Sequence, residues 1–188
     1  MTLGITLLIL LSALIHSIWN VQLKKSQDPF KFLINIATCA WVIFTPYSIF
    51  KLFTSTISPE VVIFIVLSFI IHFFYFIFLG KAYSKFELSL VYPIARGLSV
   101  FLIPIYGIFI LSETITMFAL IGCFFIFYGI ILTGSVSLNY FTSIDGFKKL
   151  FNSGVILALS IGLVISLYSL ADKQASGGVD PILFVWFT

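Results

Sequence analysis

The chain has 188 residues, of which 61% are hydrophobic and 9% charged, and its net charge is +3. Soluble domains carry about 25% charged residues, so a water-soluble fold could not cover this much apolar surface. The small net charge gives no reason to expect nucleic acid as a partner. Apolar runs of about 20 residues, the length that crosses a hydrocarbon core, separate short charged clusters. Because lipid leaves the backbone to satisfy its own hydrogen bonds, the sequence predicts an all-α integral membrane protein.

Six of the apolar runs are predicted to be membrane-crossing helices. The first run has no basic n-region and no cleavage site, so we interpret it as a retained span. Asp28-Pro29 and Ser58-Pro59 are typical helix starts. The link Ser112–Thr116 is so short that the helices on either side must be antiparallel neighbours. The predicted spans are Thr2–Leu23, Phe32–Phe53, Val61–Gly80, Ser89–Leu111, Met117–Gly134 and Gly154–Ala171.

A seventh apolar run begins at Asp180-Pro181 and reaches Thr188. This run is too short to cross a bilayer, so we expect the start of a seventh helix in a longer protein. An internal echo supports a repeat: the segment 17–20 with Lys24 and Asp28-Pro29 resembles the segment 166–169 with Lys173 and Asp180-Pro181. A repeat unit of five helices would place its second copy upside down, as in many secondary transporters.

Arg96 is the strongest functional signal, because it lies on the order of 10 Å inside the fourth span. An ionisable side chain at that depth is a functional candidate, and snorkelling to the interface is the alternative. Tyr92, Arg96 and Ser99 share a face at helical spacing. Pro93 removes a backbone hydrogen bond beside this face, and interrupted helices line solute sites in transporters.

Three other spans carry polar stripes that predict a shared polar interior. The first span presents His16, Trp19 and Asn20 together with Ser12, the third presents Ser68, His72 and Tyr75, and the second presents Asn35, Thr38 and Thr45. Hydrogen bonding between helices is the alternative interpretation of each stripe taken alone. The fifth span has no such stripe, and its Gly122 and Gly129 are interpreted as sites of close helix packing.

Several function classes lack their motifs. The chain has no Gly-rich ATP-binding loop, no Cys/His cluster for zinc, no paired-acid motif of a membrane prenyl-transfer enzyme and no Gly-x-Ser-x-Gly. We therefore expect no enzyme activity, no catalytic residues, no metal and no cofactor. An ATP-driven pump is excluded on the same ground. The leading function is secondary transport of a small organic metabolite, and the alternative is a structural or assembly subunit of a membrane complex.

The chain resembles the EamA-like branch of the drug/metabolite transporter superfamily. The opening segment 16–20 with Lys24 resembles the start of that family. Further matching segments are Gly80-Lys81-Ala82-Tyr83, Val91-Tyr92-Pro93-Ile94-Ala95-Arg96-Gly97, Ser112-Glu113, Ile121-Gly122 and Tyr128-Gly129. The Gly-Glu pair of the family reads Ser112-Glu113 here, and we interpret Glu113 as a structural acid in the tight turn before the fifth span, where the helix N-terminal dipole favours an acid.

The resemblance implies a ten-helix architecture of two five-helix EamA repeats around a central pathway. It predicts a first repeat at residues 1–135, a connecting loop at 136–153 and the start of an inverted second repeat at 154–188. The missing C-terminal half or a second copy of the chain would complete the pathway. The predicted partners are therefore the lipid bilayer and a small solute that carries an amino-acid-like or other anionic group. The predicted substrate-binding residues are Arg96, Tyr92, His16, Trp19, Asn20, Ser99, His72 and Tyr75.

Membrane orientation receives two opposing expectations. Seven lysines lie in the odd-numbered links and two in the even-numbered ones, which favours an outside N-terminus. The family resemblance implies a cytoplasmic N-terminus instead. Both expectations assume a multi-pass protein of the cell inner (plasma) membrane.

Overall fold

The computed structural model describes residues 3–133 and 153–188, which form α-helices and contain no strand. Five of these helices, α1 to α4 and α6, are long and apolar enough to cross a membrane, whereas α5 is shorter, at 17 residues. The predicted all-α, multi-pass class is therefore confirmed. The helices are α1 (Leu3–Lys25), α2 (Pro29–Thr54), α3 (Pro59–Lys85), α4 (Leu88–Phe109), α5 (Met117–Thr133), α6 (Ser153–Ser176) and α7 (Pro181–Phe187).

The outside of the helix bundle is apolar. Phe53, Phe109 and Phe118 are 84%, 81% and 87% exposed, and many leucines and isoleucines of α1 and α2 are exposed as well. Soluble monomers rarely expose apolar patches of more than a few hundred Å². These side chains match a surface that faces acyl chains.

Three helices begin where the sequence predicts, at an acceptor side chain followed by proline. The Asp28 carboxylate accepts from the Lys31 amide at 3.1 Å, and the Ser58 hydroxyl accepts from the Val61 amide at 3.4 Å. Asp180 caps α7 in the same way. Each cap satisfies a backbone N–H that has no partner within its own helix.

Helices α3 and α6 extend beyond the predicted spans. The segment predicted as a polar link after Gly80 is helical to Lys85, and its Ala82 and Tyr83 are buried. Helix α6 likewise continues past Ala171 to Ser176. The prediction ended each helix where the apolar run ended, but a helix can continue through polar and charged residues. Tyr83 and Asp172 thereby become helical residues.

Helix α6 packs between α3 and α4. Its first residues lie against Phe86, which joins α3 to α4, and Gly178 just beyond its end lies against Val61 at the start of α3. Helices α3 and α6 are therefore antiparallel. The Lys24 ammonium donates to the carbonyls of Tyr83 and Phe86 at 3.2 and 2.7 Å, so α1 ends beside the end of α3. Consequently, α1 and α6 run in opposite directions.

Helices α4 and α6 approach each other closely at Gly162. A Cβ atom added to Gly162 would lie 2.6 Å from the Ala95 carbonyl oxygen. The predicted packing glycines are elsewhere: a Cβ on Gly122 or Gly129 would meet no atom within 4 Å, so that prediction is wrong for the described residues. Their spacing resembled a small-residue seam, but α5 contacts mainly α4 and keeps these positions away from the contact.

One further prediction about α4 is wrong, and one about the link that follows it is confirmed in part. Helix α4 is continuous through Pro93 and Pro104, so no interrupted helix forms there. Glu113 lies in the link before α5, as predicted, and it forms an ion pair with Lys173 of α6, while Thr116 caps α5. The link turns at Ser112, whose φ is 54°, and the Glu113 carboxylate reaches Lys173 on α6.

Candidate functional site

Arg96 lies on the inner side of α4, about 12 Å along the helix from Leu88. Its guanidinium is half-buried, contacts Nε2 of His16 on α1, and lies 5.7 Å from the centre of the Tyr92 ring. Within residues 3–133 and 153–188, no carboxylate lies within 4 Å of Arg96. The charge is therefore held by an imidazole and an aromatic face without an acidic partner among these residues.

His16 stands between two hydrogen-bond donors. The Trp19 indole N–H donates to Nδ1 of His16 at 3.1 Å, while the Arg96 guanidinium approaches Nε2. A neutral imidazole has one acceptor nitrogen, so it can serve one of these donors at a time. Arg96 thus keeps donor capacity for a further acceptor. We call His16, Trp19, Tyr92 and Arg96 the Arg96 cluster.

Asn20 is committed to helix packing. It is 4% exposed, its amide donates to the His16 carbonyl at 2.7 Å, and its carbonyl accepts from the Tyr83 hydroxyl at 3.0 Å. Both ends of the side-chain amide have partners, which matches the alternative interpretation of a hydrogen bond between helices. Asn20 and Tyr83 therefore fix α1 against α3, one helical turn from His16 of the Arg96 cluster.

A small cavity lies beside Arg96 at the meeting of α1, α3, α4 and α6. Its volume is about 10 Å³, close to the minimum that holds one water molecule. The lining residues include four of the predicted site residues, which are Asn20, Tyr75, Tyr92 and Arg96. In this conformation the cavity has room for about one water molecule.

A second polar group joins α3 to α6. The Ser68 hydroxyl donates to Asp172 Oδ1 at 2.5 Å, and His72 Nδ1 lies 3.0 Å from the Ser68 carbonyl oxygen. The His72 ring stacks on Tyr168, with 4.1 Å between ring centres. We call Ser68, His72, Tyr168 and Asp172 the Asp172 cluster.

Tyr75 connects the two clusters. Its ring packs edge-on against Tyr168 at 5.6 Å, and it also lines the cavity beside Arg96. Ser68, His72, Tyr75 and Tyr83 follow one another on a single face of α3 at helical spacing. One face of α3 therefore carries polar groups along a line from the Asp172 cluster to the Arg96 cluster.

Ser99 lies in the interior, whereas the polar stripe of α2 does not. Ser99 is buried and donates to the Arg96 carbonyl at 2.8 Å within its own helix. Its hydroxyl hydrogen is thus used locally. On α2, Asn35 and Thr38 are exposed, and Thr45 bonds the Trp186 indole. The second span was therefore wrongly assigned to the polar interior, and α6 takes its position.

The sequence interpretation missed three residues of this site, Tyr83, Tyr168 and Asp172. The predicted spans end at Gly80 and Ala171, so they place Tyr83 in a link and Asp172 directly after the sixth span. Tyr168 and Asp172 could have been found from their spacing. They are spaced i, i+4, so they share a helix face once α6 extends past Ala171.

The part of the chain that the structure describes brings together no group of three His, Cys, Asp or Glu that could hold a metal ion. Comparison of the chain with models of known protein families, with curated proteins and with solved structures gave no match.

Proposed function

We propose that the chain belongs to a secondary transporter that moves a small organic metabolite bearing a carboxylate or similar anion by alternating access. Arg96 carries this proposal: its guanidinium lies in a membrane-spanning bundle without a carboxylate within 4 Å among the described residues. A buried guanidinium without a counter-charge is costly, and Asp, Glu, Lys and Arg inside membranes mark solute pathways. An anionic substrate group would supply the missing charge.

The chemistry of arginine supports an anionic group with two oxygens. A guanidinium stays charged at any working pH and presents a planar fork that matches a carboxylate. His16 leaves part of that fork unsatisfied because Trp19 competes for the same imidazole. The ring of Tyr92 shields one side of the guanidinium. Tyr92, His16 and Trp19 would orient Arg96, and Tyr75 would close the opposite wall.

The small volume of the cavity implies that helices must move for a metabolite to bind there, as alternating access requires. Helix α1 is the best candidate for the moving element. Asn20 and Leu23, the buried residues of α1, lie near its C-terminal end, while Leu3, Leu8 and Leu14 nearer its N-terminus are all more than half exposed. The joint at Asn20 and Tyr83 would then be the pivot.

The architecture proposed for this transporter is the EamA-like one, with six spans and the start of a seventh. Residues 1–135 would form the first repeat and residues 154–188 would begin the second. The opposite directions of α1 and α6 support an inverted repeat, and so do the Asp-Pro caps that begin both α2 and α7. Further helices or a second copy of the chain would complete the pathway in the plasma membrane.

The rival function is a structural or assembly subunit, and the bonding of Asn20 favours it for that residue alone. Counterflow separates the two functions: vesicles containing the full-length protein are loaded with unlabelled amino acids, organic acids or sugars and given labelled solute outside. Arg96→Gln should lower anion uptake at least tenfold while insertion stays intact. The matched control, Lys81→Gln, removes an exposed cation and should have no effect.

Full uptake after His16 and Arg96 are both replaced by Ala would reject the pathway and favour helix adhesion. Uptake of neutral sugars but of no anion would keep transport and reject the anion site.

A further inference from the structure

The hydrogen-bond directions in the Asp172 cluster follow from the chemistry of the groups. A backbone carbonyl can only accept, so the 3.0 Å contact between the Ser68 carbonyl and His72 requires a hydrogen on His72 Nδ1. The same Nδ1 lies 3.2 Å from the Ser68 hydroxyl oxygen. The hydroxyl hydrogen of Ser68 is then directed to Asp172 Oδ1. Ser68 therefore links the imidazole to the carboxylate.

The Asp172 cluster lies well inside the helix bundle. Ser68 is 0% exposed and lies about 13 Å along α3 from Pro59, and Asp172 is half-buried on α6. Carboxylates at such positions are costly when charged, and Asp and His chains inside membranes are proton relays in pumps and transporters.

The ionisable surroundings of Asp172 are mixed. On α3, the charge of His72 acts on Asp172. On α4, the charge of Arg96 acts on Tyr168, which lies one helical turn before Asp172 on α6. The neighbouring Lys173 is held by Glu113 of the α4–α5 link. On α2, Lys51 forms an ion pair with Asp180, which precedes α7, and the Tyr47 hydroxyl donates to the same carboxylate. Lys51 and Lys173 are thus each paired with an acid other than Asp172, and the Ser68 hydroxyl donates a hydrogen bond to Asp172.

We infer that Asp172 is the proton-binding residue of the transporter, with Ser68 and His72 as positioning residues. A proton from one aqueous side forms an O–H bond on the Asp172 carboxylate and neutralises it, and this bond breaks when the proton leaves to the other side. The stacked ring of Tyr168 and the ring of Tyr75 connect this event to the cavity beside Arg96. Proton binding and anion binding would then favour the same conformation.

A proton fits this cluster better than a metal cation. Hard cations take six or more oxygen ligands. Besides the carboxylate, the Asp172 cluster offers one hydroxyl, one imidazole and one phenol ring, which cannot supply that shell. The inference rests on the proposed function for its role in transport, whereas proton binding itself can be measured without any solute.

The first experiment measures proton binding directly, by infrared titration of the full-length protein in lipid nanodiscs. The carboxylic C=O band that appears on acidification should lose one component in Asp172→Asn. Ser68→Ala should shift the midpoint of that component, because it removes a hydrogen bond that favours the ionised form. Glu60→Gln, which changes an exposed carboxylate at the start of α3, should leave the component in place. An unchanged band in Asp172→Asn would overturn the inference.

The second experiment measures coupling in vesicles with a gradient of one pH unit. One coupled proton supports about tenfold accumulation of solute. In Asp172→Asn the ratio of gradient-driven uptake to counterflow should fall about tenfold. If uptake by the unmodified protein does not depend on the pH gradient, or is driven by a sodium gradient at equal pH, then Asp172 does not couple proton movement to transport. Absence of all uptake would reject the proposed function, and the infrared titration would still decide whether Asp172 binds a proton.

Discussion

Gly162 of α6 packs directly against the carbonyl oxygen of Ala95 on α4. A Cβ at position 162 would lie 2.6 Å from that oxygen and 2.9 Å from Leu98 Cβ. The partner atoms belong to backbone and to a Cβ, so they cannot rotate away. The contact lies one residue from Arg96, and it therefore sets the distance between α6 and the helix that carries the guanidinium.

Replacing Gly162 with Ala should separate α4 from α6. Overpacking of this kind costs about 1–3 kcal/mol, and the measurement is reversible unfolding in mixed micelles. Gly122→Ala is the matched control, because a Cβ there meets no atom within 4 Å. It should leave stability unchanged or raise it by up to about 1 kcal/mol through helix propensity. Equal effects of the two variants would contradict the close contact.

Tyr83→Phe should loosen α1 from α3. The variant removes the hydroxyl that donates to the buried carbonyl of Asn20, and the expected loss in free energy of unfolding is about 1 kcal/mol. A double-mutant cycle with Asn20→Ala measures the coupling, which averages about 0.6 kcal/mol for hydrogen bonds between membrane helices. Tyr128→Phe, on an exposed ring of α5, serves as control. If the change in free energy of unfolding of the double variant equals the sum of the changes of the two single variants, the two side chains do not interact.

The contact between α2 and α7 should depend on pH through Asp180, which lies in the link before α7. Desolvation raises the pKa of Asp180, but backbone hydrogen bonds from Leu183 and Ile182, the Tyr47 hydroxyl and the Lys51 ammonium together lower it below its ordinary value of 3.8. A lowered pKa in the folded state contributes stability that is complete above the ordinary value and disappears as pH falls through the lowered one.

The stacked indoles of Trp41 and Trp186, 5.7 Å apart, report this contact. Fluorescence of a Trp19→Phe background should be constant down to about pH 4 and change below it. The change should vanish in Asp180→Ala. A transition near neutral pH, or one that persists without Asp180, would assign the contact to another group.

Helix class and helix starts could be predicted because they follow from local chemistry. Long apolar runs need helices in lipid, and Asp28, Ser58 and Asp180 precede prolines at positions where caps are required. Helix ends were less predictable, since α3 continues through Lys81 to Lys85, beyond its apolar run. The end of a hydrophobic run is therefore a poor marker of the end of a helix.

The candidate site could be predicted in part, because single-helix stripes are visible in sequence but the pairing of helices is not. His16 and Arg96 were both predicted, yet nothing in the sequence indicates that they touch. The packing of α6 between α3 and α4 joins Asp172 to Ser68 across the bundle. The same packing leaves the stripe of α2 outside the polar interior, a choice that depends on tertiary contacts such as that of Gly162.

The most direct test of the central claim is the charge preference of the site at Arg96. Vesicles with the full-length protein take up a labelled organic acid while either the unlabelled acid or its neutral amide competes. The account predicts that the acid competes at least tenfold better in the wild-type protein, and that Arg96→Gln removes this preference. Arg96→Lys should retain only part of it, because lysine keeps the charge but lacks the planar fork. An undiminished preference for the acid in Arg96→Gln would contradict the account.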